Sequence, residues 1–200
     1  MTNEIRGELS RMMQMAKENV NASFDAVRAG NAALLPQVEE REEYIDYLNK
    51  EISKYISKVL VNEKNPKDSQ YISALFKVCG NLERIGDHAV NICEYTQKME
   101  EKKISFSPAV SDEITEMQKI SNQALETLQT IQSDGNDPEL ALKKIEDLEQ
   151  KFDDMTEDYR KAQIDRMQTG KCSDEACILY SEMLTDFERI GDHILNIGQE

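Results

Sequence analysis

Tryptophan is absent from this 200-residue chain, and proline (four), glycine (eight) and aromatic residues (6%) are all scarce. So few turn-formers and β-favouring aromatics argue against a protein of many short strands. What remains is rich in Glu, Lys, Leu, Ala, Gln and Met, a mixture suited to long amphipathic helices. No stretch approaches 18 uninterrupted apolar residues, so no segment is expected to span a membrane. Positive charge is also short: 24 Lys and Arg stand against 39 Asp and Glu, a formal net charge of −15. Such a surface repels phosphate backbones and anionic headgroups, so neither nucleic-acid binding nor direct membrane insertion is expected. Cations and basic proteins are its natural counterparts. The four cysteines, Cys79, Cys93, Cys172 and Cys177, form no CxxC pair. The opening MTNEIRGELSRMMQM carries charges where a secretory signal needs apolar residues. Reduced thiols in a cytoplasmic protein are the expectation.

An internal repeat organises the chain. Residues 81–92 read NLERIGDHAVNI and residues 186–197 read DFERIGDHILNI, with the six residues Glu83–His88 recurring as Glu188–His193 at a constant offset of 105. Identity in register over six residues marks a tandem duplication. Each copy divides into three helical stretches. In the first, Ile5, Leu9, Met12, Met13, Ala16, Val20 and Phe24 follow helical spacing up to Gly30, while Met15 reads as ordinary core or surface. A second helix runs from about Leu34 to about Val61, with Tyr44, Ile45, Leu48, Ile52, Tyr55, Ile56 and Val59 as its stripe. After a turn at residues 62–68, a third carries Ile72, Leu75, Phe76, Cys79, Leu82, Ile85 and Ala89 to about Lys102. The second copy predicts helices from Pro108 to Ser133, from an Asp137 cap with Pro138 in the first turn to Thr169–Gly170, and from Ser173 onward, with a turn at 133–139. The expected fold is all-α, a tandem pair of three-helix bundles with repeats at 1–104 and 105–200. The first motif helix continues well past its motif whereas the chain stops at Glu200, which predicts a piece excised from a longer protein.

Glu83 and Asp87, and likewise Glu188 and Asp192, are spaced i, i+4 and project from one helical face. With 39 acids in the chain, that spacing alone reads equally as a solvated acidic face. The preceding helix tips the balance. It carries Glu42 and Asp46 in the first copy and Glu149 and Asp153 in the second, again Glu then Asp at i, i+4. Folded as an antiparallel hairpin about the 62–68 turn, Glu42 comes level with Asp87 and Asp46 with Glu83. The TGKCS turn aligns Glu149 with Asp192 and Asp153 with Glu188 in the same way. Four carboxylates at one level raise one another's pKa and call for protons, bases or a cation. Arg84 and Arg189 lie about 100° round the helix from the preceding acid, awkward shields for all four. All-oxygen ligands suit a hard cation; a metal-free acidic groove remains the alternative. His88 and His193 fall off the carboxylate face and read as structural, turned to a neighbouring helix or partner. Gly86 and Gly191 read as close packing, with Asn91 and Asn196 as hydrogen-bond donors behind the acids. A di-iron enzyme would need Glu-x-x-His pairs, and neither histidine has a Glu three residues before it, so no catalytic residues are expected.

Two ERIGDH copies, each preceded by a helix with Glu-x-x-x-Asp, resemble the PhoU family across essentially the whole chain. That resemblance implies two three-helix bundles related by pseudo-twofold symmetry, a regulatory role in phosphate uptake and signalling, and metal held at Glu42, Asp46, Glu83, Asp87, Glu149, Asp153, Glu188 and Asp192. The implied metal is iron, manganese, magnesium, calcium or zinc. The long opening helix and VEEREEYIDYLNKEISKYISKV look most like the PhoU-like cytoplasmic domain of bacterial sodium/phosphate cotransporters, tethered to the inner membrane by a transporter domain. The alternatives are a stand-alone PhoU regulator of an ABC phosphate transporter and a metal-free interaction module. Implied partners are a phosphate transporter's membrane domain or a phosphate-signalling protein, with homo-oligomerisation left open. One departure stands out: family motifs often carry a third acid seven residues after the Glu, where this chain has Val90 and Leu195.

Overall fold

The computed structural model describes residues 2–131 and 137–200, the side chains of residues 2 and 3 apart. Six helices follow one another: α1 (Thr2–Ala29), α2 (Leu35–Asn62), α3 (Pro66–Lys102), α4 (Pro108–Thr130), α5 (Pro138–Gln168) and α6 (Asp174–Gly198). Strands are absent among the described residues.

Local chemistry sets the helix ends. Gly30 and Gly170 terminate α1 and α5 at φ of 65° and 73°, left-handed backbone that costs glycine little. Ser107, Asp137 and Ser173 cap α4, α5 and α6 by accepting from backbone N–H groups two or three residues on. The 62–68 turn is shorter than expected. Asn65 accepts from the Lys67 N–H and Pro66 occupies the first turn, so Asn-Pro starts α3 inside what composition marked as loop. The expected 133–139 turn, and the Ser133 end of the fourth helix, lie outside the described residues except for Asp137, Pro138 and Glu139.

Helices α1–α3 pack mutually, as do α4–α6, and the halves meet where α1 lies on α4 and α3 on α6. One apolar cluster runs through both halves, from Ile5 to Ile197. At its middle Phe24 and Phe187 stack with centroids 4.2 Å apart. The predicted stripes are largely buried, with three exceptions. Tyr44, Tyr55 and Phe76 stand 40–46% exposed. Each sits at the edge of its stripe, where helical spacing cannot distinguish a core position from a flank.

Polar pairs line the seam between halves. On α1 and α4, Asn21 bonds Asn122 at 2.8 Å and Gln118 reaches Asn21 and Asp25. On α3 and α6, His88 donates from Nδ1 to Asp186 at 2.6 Å, and His193 donates from Nδ1 to the Asn81 carbonyl at 2.9 Å. Asn91 and Asn196 donate to those same acceptors. The positions are related by the 105-residue offset, so one contact is made twice about a pseudo-twofold axis, and the two imidazoles stack across it at 5.5 Å. Hence the histidines face the other half, as their placement off the acidic face implied. The asparagines serve this seam, not the acids.

The second half has a buried ionic lock of its own. Arg166 grips Glu113 through two bonds of 2.8 and 2.9 Å, and the Tyr180 hydroxyl donates to Glu113 at 2.7 Å, tying α4, α5 and α6 together. Glu113→Ala would take the acceptor from the phenol and the counter-charge from the guanidinium, which keeps the Gln163 amide oxygen, in a site where both ionic side chains are under 15% exposed. The expected cost is about 3–5 kcal/mol, read as a lower urea midpoint at unchanged slope.

Candidate metal centre

In the first half the acids on α2 and α3 converge as their register requires. Burial, then the negative charges of Asp87 and Asp46, push the Glu42 carboxyl up to about 7. Glu42 also shares a hydrogen bond with Asp87, and the direction of the effects puts the proton on Glu42 with Asp87 as acceptor. Glu83 is raised by burial and by Asp87 and Asp46, with Arg84 and Lys50 pulling the other way. Asp87 is raised by burial, against the opposing hydrogen bond from Glu42. Lys50, one turn beyond Asp46, pairs with its carboxylate. That lysine escaped notice in the sequence, although Asp-x-x-x-Lys at i, i+4 is itself a pairing signal.

The second half repeats the arrangement on α5 and α6 with a tighter core. One carboxylate oxygen from each of Glu149, Asp153 and Asp192 lies within 4.8 Å of the others, a spacing a single cation can span. Burial raises Glu149, followed by Asp153 and Asp192; burial likewise raises Asp153, followed by Glu188 and Asp192. Asp153 Oδ1 is buried without a hydrogen-bond partner among the described residues. Glu188 stands to one side, 3.6 Å from Arg160. Arg189 does shield an acid, reaching Asp192 at 3.0 Å from the i−3 position, because its long side chain folds back along the helix. So all eight predicted acids gather into two groups. In both groups a Glu shares a hydrogen bond with an Asp that raises the Glu, Glu42 with Asp87 and Glu149 with Asp153. Lys50 pairs with Asp46 in the first group, and Arg160 and Arg189 pair with Glu188 and Asp192 in the second, so acids stay uncompensated in both.

Gly86 and Gly191 sit opposite Ile45 and Phe152 of the facing helices. A Cβ added to either would first meet side-chain carbon at 3.5 and 3.6 Å, ordinary contact distances. Packing therefore does not demand glycine at either place. Gly191→Ala should stabilise the protein by about 1 kcal/mol through helix propensity, visible as a higher thermal midpoint. A loss of stability would mean that the facing helix sits closer than this.

A bundle of two fused three-helix repeats, each with an acidic hairpin aimed inward, defines a class of all-helical duplicated proteins. The PhoU domain matches twice, at residues 9–96 and 114–200, and the chain belongs to the PhoU family. Its relatives include a Thermotoga maritima protein described as phosphate-specific transport system accessory protein PhoU homolog 1, 28% identical over 98% of this chain and 83% of that one. A Xylella fastidiosa protein described as a phosphate-specific transport system accessory protein PhoU homolog is 23% identical over 98% and 81%. Among solved structures, PhoU from Pseudomonas aeruginosa superposes with a TM-score of 0.90 at 20% identity, covering 99% of this chain and 93% of that one. The regulatory protein PhoU from Streptococcus pneumoniae gives 0.81 at 18% identity, covering 98% and 90%. At such identities these structures establish the fold alone. No helix among the described residues is long and apolar enough to cross a membrane.

The raised Glu42 carboxyl gives a signed pH effect. Its folded value of about 7 exceeds the ordinary 4.5, so the metal-free folded state holds a proton that the unfolded chain has released. This contribution to stability is present in full below about pH 4.5 and is lost as pH rises through about 7. Measured without metal, thermal midpoints at pH 5 and pH 8 should differ less in Glu42→Gln than in the parent, with the variant gaining at pH 8. An identical pH dependence in the two proteins would show that Glu42 ionises freely.

Proposed function

We propose that this chain is an accessory, regulatory protein of a phosphate transport system, acting at the cytoplasmic face and carrying out no catalysis. Its relatives' descriptions as accessory proteins support the stand-alone regulator over the cotransporter domain expected from the sequence. Its partners would be the transporter's membrane domain or a phosphate-signalling protein. In this reading the paired carboxylates hold metal, and one observation carries the assignment: Glu149, Asp153 and Asp192 converge within 4.8 Å and leave a buried oxygen unpartnered. Glu188 completes the group at its edge, while Glu42, Asp46, Glu83 and Asp87 form a second, weaker site in which the cation must displace a proton and Lys50. Hard oxygen donors favour magnesium, manganese, calcium or ferric iron over thiolate-seeking metals, with zinc acceptable to carboxylates.

A cation bound in the α5–α6 group would offset the mutual repulsion of its ligands. It could also leave coordination positions for phosphate or a partner's carboxylate. A partner that contacts those positions would bind the loaded and empty forms with different affinity, the minimum that regulation requires.

Elemental analysis of protein purified without chelators should find near-stoichiometric metal. Glu149→Gln combined with Asp192→Asn should remove the more tightly held portion. In the parent, metal at a hundredfold over its Kd should raise the thermal midpoint by roughly 5–10 °C, from about 2.7 kcal/mol of linkage. Protein free of metal, with a midpoint indifferent to every cation tried, would leave a helical interaction module with solvated acidic grooves.

A further inference from the structure

The outer face of α2 carries exposed tyrosines that its counterpart in the second half, α5, lacks. Tyr44, Tyr47 and Tyr55 are 41%, 55% and 40% exposed, and the Tyr44 and Tyr47 rings stack with centroids 6.1 Å apart. At 100° per residue the three fall within about 80° of one another along about 16 Å of helix. Exposed Glu40, Glu43 and Glu51 interleave with them. The matching positions on α5, aligned through Glu42 with Glu149 and Asp46 with Asp153, are Lys151, Asp154 and Ala162. Duplication therefore does not account for the tyrosines. Nor does the core, which Ile45, Leu48, Ile52 and Ile56 supply from a neighbouring face of the helix centred about 100° away.

We propose that this tyrosine and glutamate face of α2, residues 40–55, is a docking surface for an arginine-bearing amphipathic helix of a protein partner. Three features select that occupant. Exposed tyrosine faces attract guanidinium by cation–π contact and planar stacking, which lysine matches less well. Carboxylates at Glu40 and Glu43 accept the same guanidinium groups through paired hydrogen bonds. A net charge of −15 steers cationic chains inward and repels both anionic surfaces and a second copy of this chain. Tyrosine is moreover the residue type that most often anchors interfaces, because a large ring is ordered at small entropic cost. Lys54 pairs with Glu51, so the acidic part of the face is its N-terminal half, and the partner's arginines sit there. The face lies on the flank of α2 away from Glu42 and Asp46, so this surface and the cation sites stand or fall separately.

The test uses a fluorescent synthetic 18-residue amphipathic helix with arginine along one face, and its lysine counterpart, titrated into the full chain at two salt concentrations. The arginine peptide should bind the parent at least tenfold more tightly than the Tyr44→Ser/Tyr47→Ser variant, and more tightly than the lysine peptide binds the parent. Because both tyrosines are exposed, the variant should keep the parent's thermal midpoint, which confirms its fold. Hydrogen exchange with peptide bound should show new protection confined to residues 40–55. Equal affinity for parent and variant would overturn the proposal as general attraction to an acidic protein. So would protection falling on the α2–α3 or α5–α6 acidic grooves. Sedimentation showing a dimer that the double substitution dissolves would hand the face to a second copy and would also overturn it.

Discussion

Like charges held together by apolar packing are the tension on which this molecule is built. Each acidic group sits where two long helices pack together over a buried apolar residue of the facing helix. Ile45 lies beneath Gly86 in one half, and Phe152 lies beneath Gly191 in the other. The helices thus impose a proximity that the carboxylates resist. Burial, the leading cause of the raised pKa values in both groups, sharpens that resistance by removing the solvent that would screen it. The two halves relieve it differently. On α2 and α3 the Glu42–Asp87 hydrogen bond and the Lys50 ammonium on Asp46 relieve part of it. On α5 and α6 the Arg160 and Arg189 side chains answer Glu188 and Asp192, and nothing among the described residues answers Asp153 Oδ1.

The seam between halves shows the same divergence. Its geometry is symmetric, with each histidine donating to residue 186 or 81 of the other half and an asparagine donating beside it. Its charge is not, because Asp186 faces Asn81. Burial, His88 and Arg84 hold His193 down to about 4 and therefore neutral at physiological pH. Two imidazolium rings stacked at 5.5 Å would repel, so a neutral His193 is what lets the rings stay together. Asp87 and Asp192 are the immediate chain neighbours of these histidines. Each helix thereby carries an acidic group on one face and the inter-half contact on another, and a shift in either is felt by a single rigid rod.

Much of this was legible in the sequence, for reasons that differ by feature. The ERIGDH repeat revealed the duplication, and with it six helices, because identity at a fixed offset owes nothing to propensity. The convergence of the acids followed from hairpin register, which needs only helical geometry and a located turn. What escaped was whatever depends on side-chain reach or on contacts between halves. Arg189 seemed too far round the helix to help Asp192, yet its flexible chain closes the gap. Asn91 and Asn196 were placed behind the acids, since no register was at hand for α3 against α6. Tyr44, Tyr55 and Phe76 fit an apolar stripe by spacing, and only the curvature and pairing of real helices leave them outside.

Those exposed rings bear on why both halves persist. If the second half kept the stronger demand for a cation, selection on the first was free to act elsewhere. The first carries three tyrosines where the second has Lys151, Asp154 and Ala162. Conversely, the second carries the Arg166–Glu113–Tyr180 lock, while Glu8, at the position equivalent to Glu113, pairs with Arg11 at 3.5 Å. The ionic lock cross-links the three helices of the second half, whereas apolar packing along α1, α2 and α3 holds the first. One continuous apolar core joins them, so any effect of an occupied site in the second half on the first would pass through the α3–α6 and α1–α4 seams.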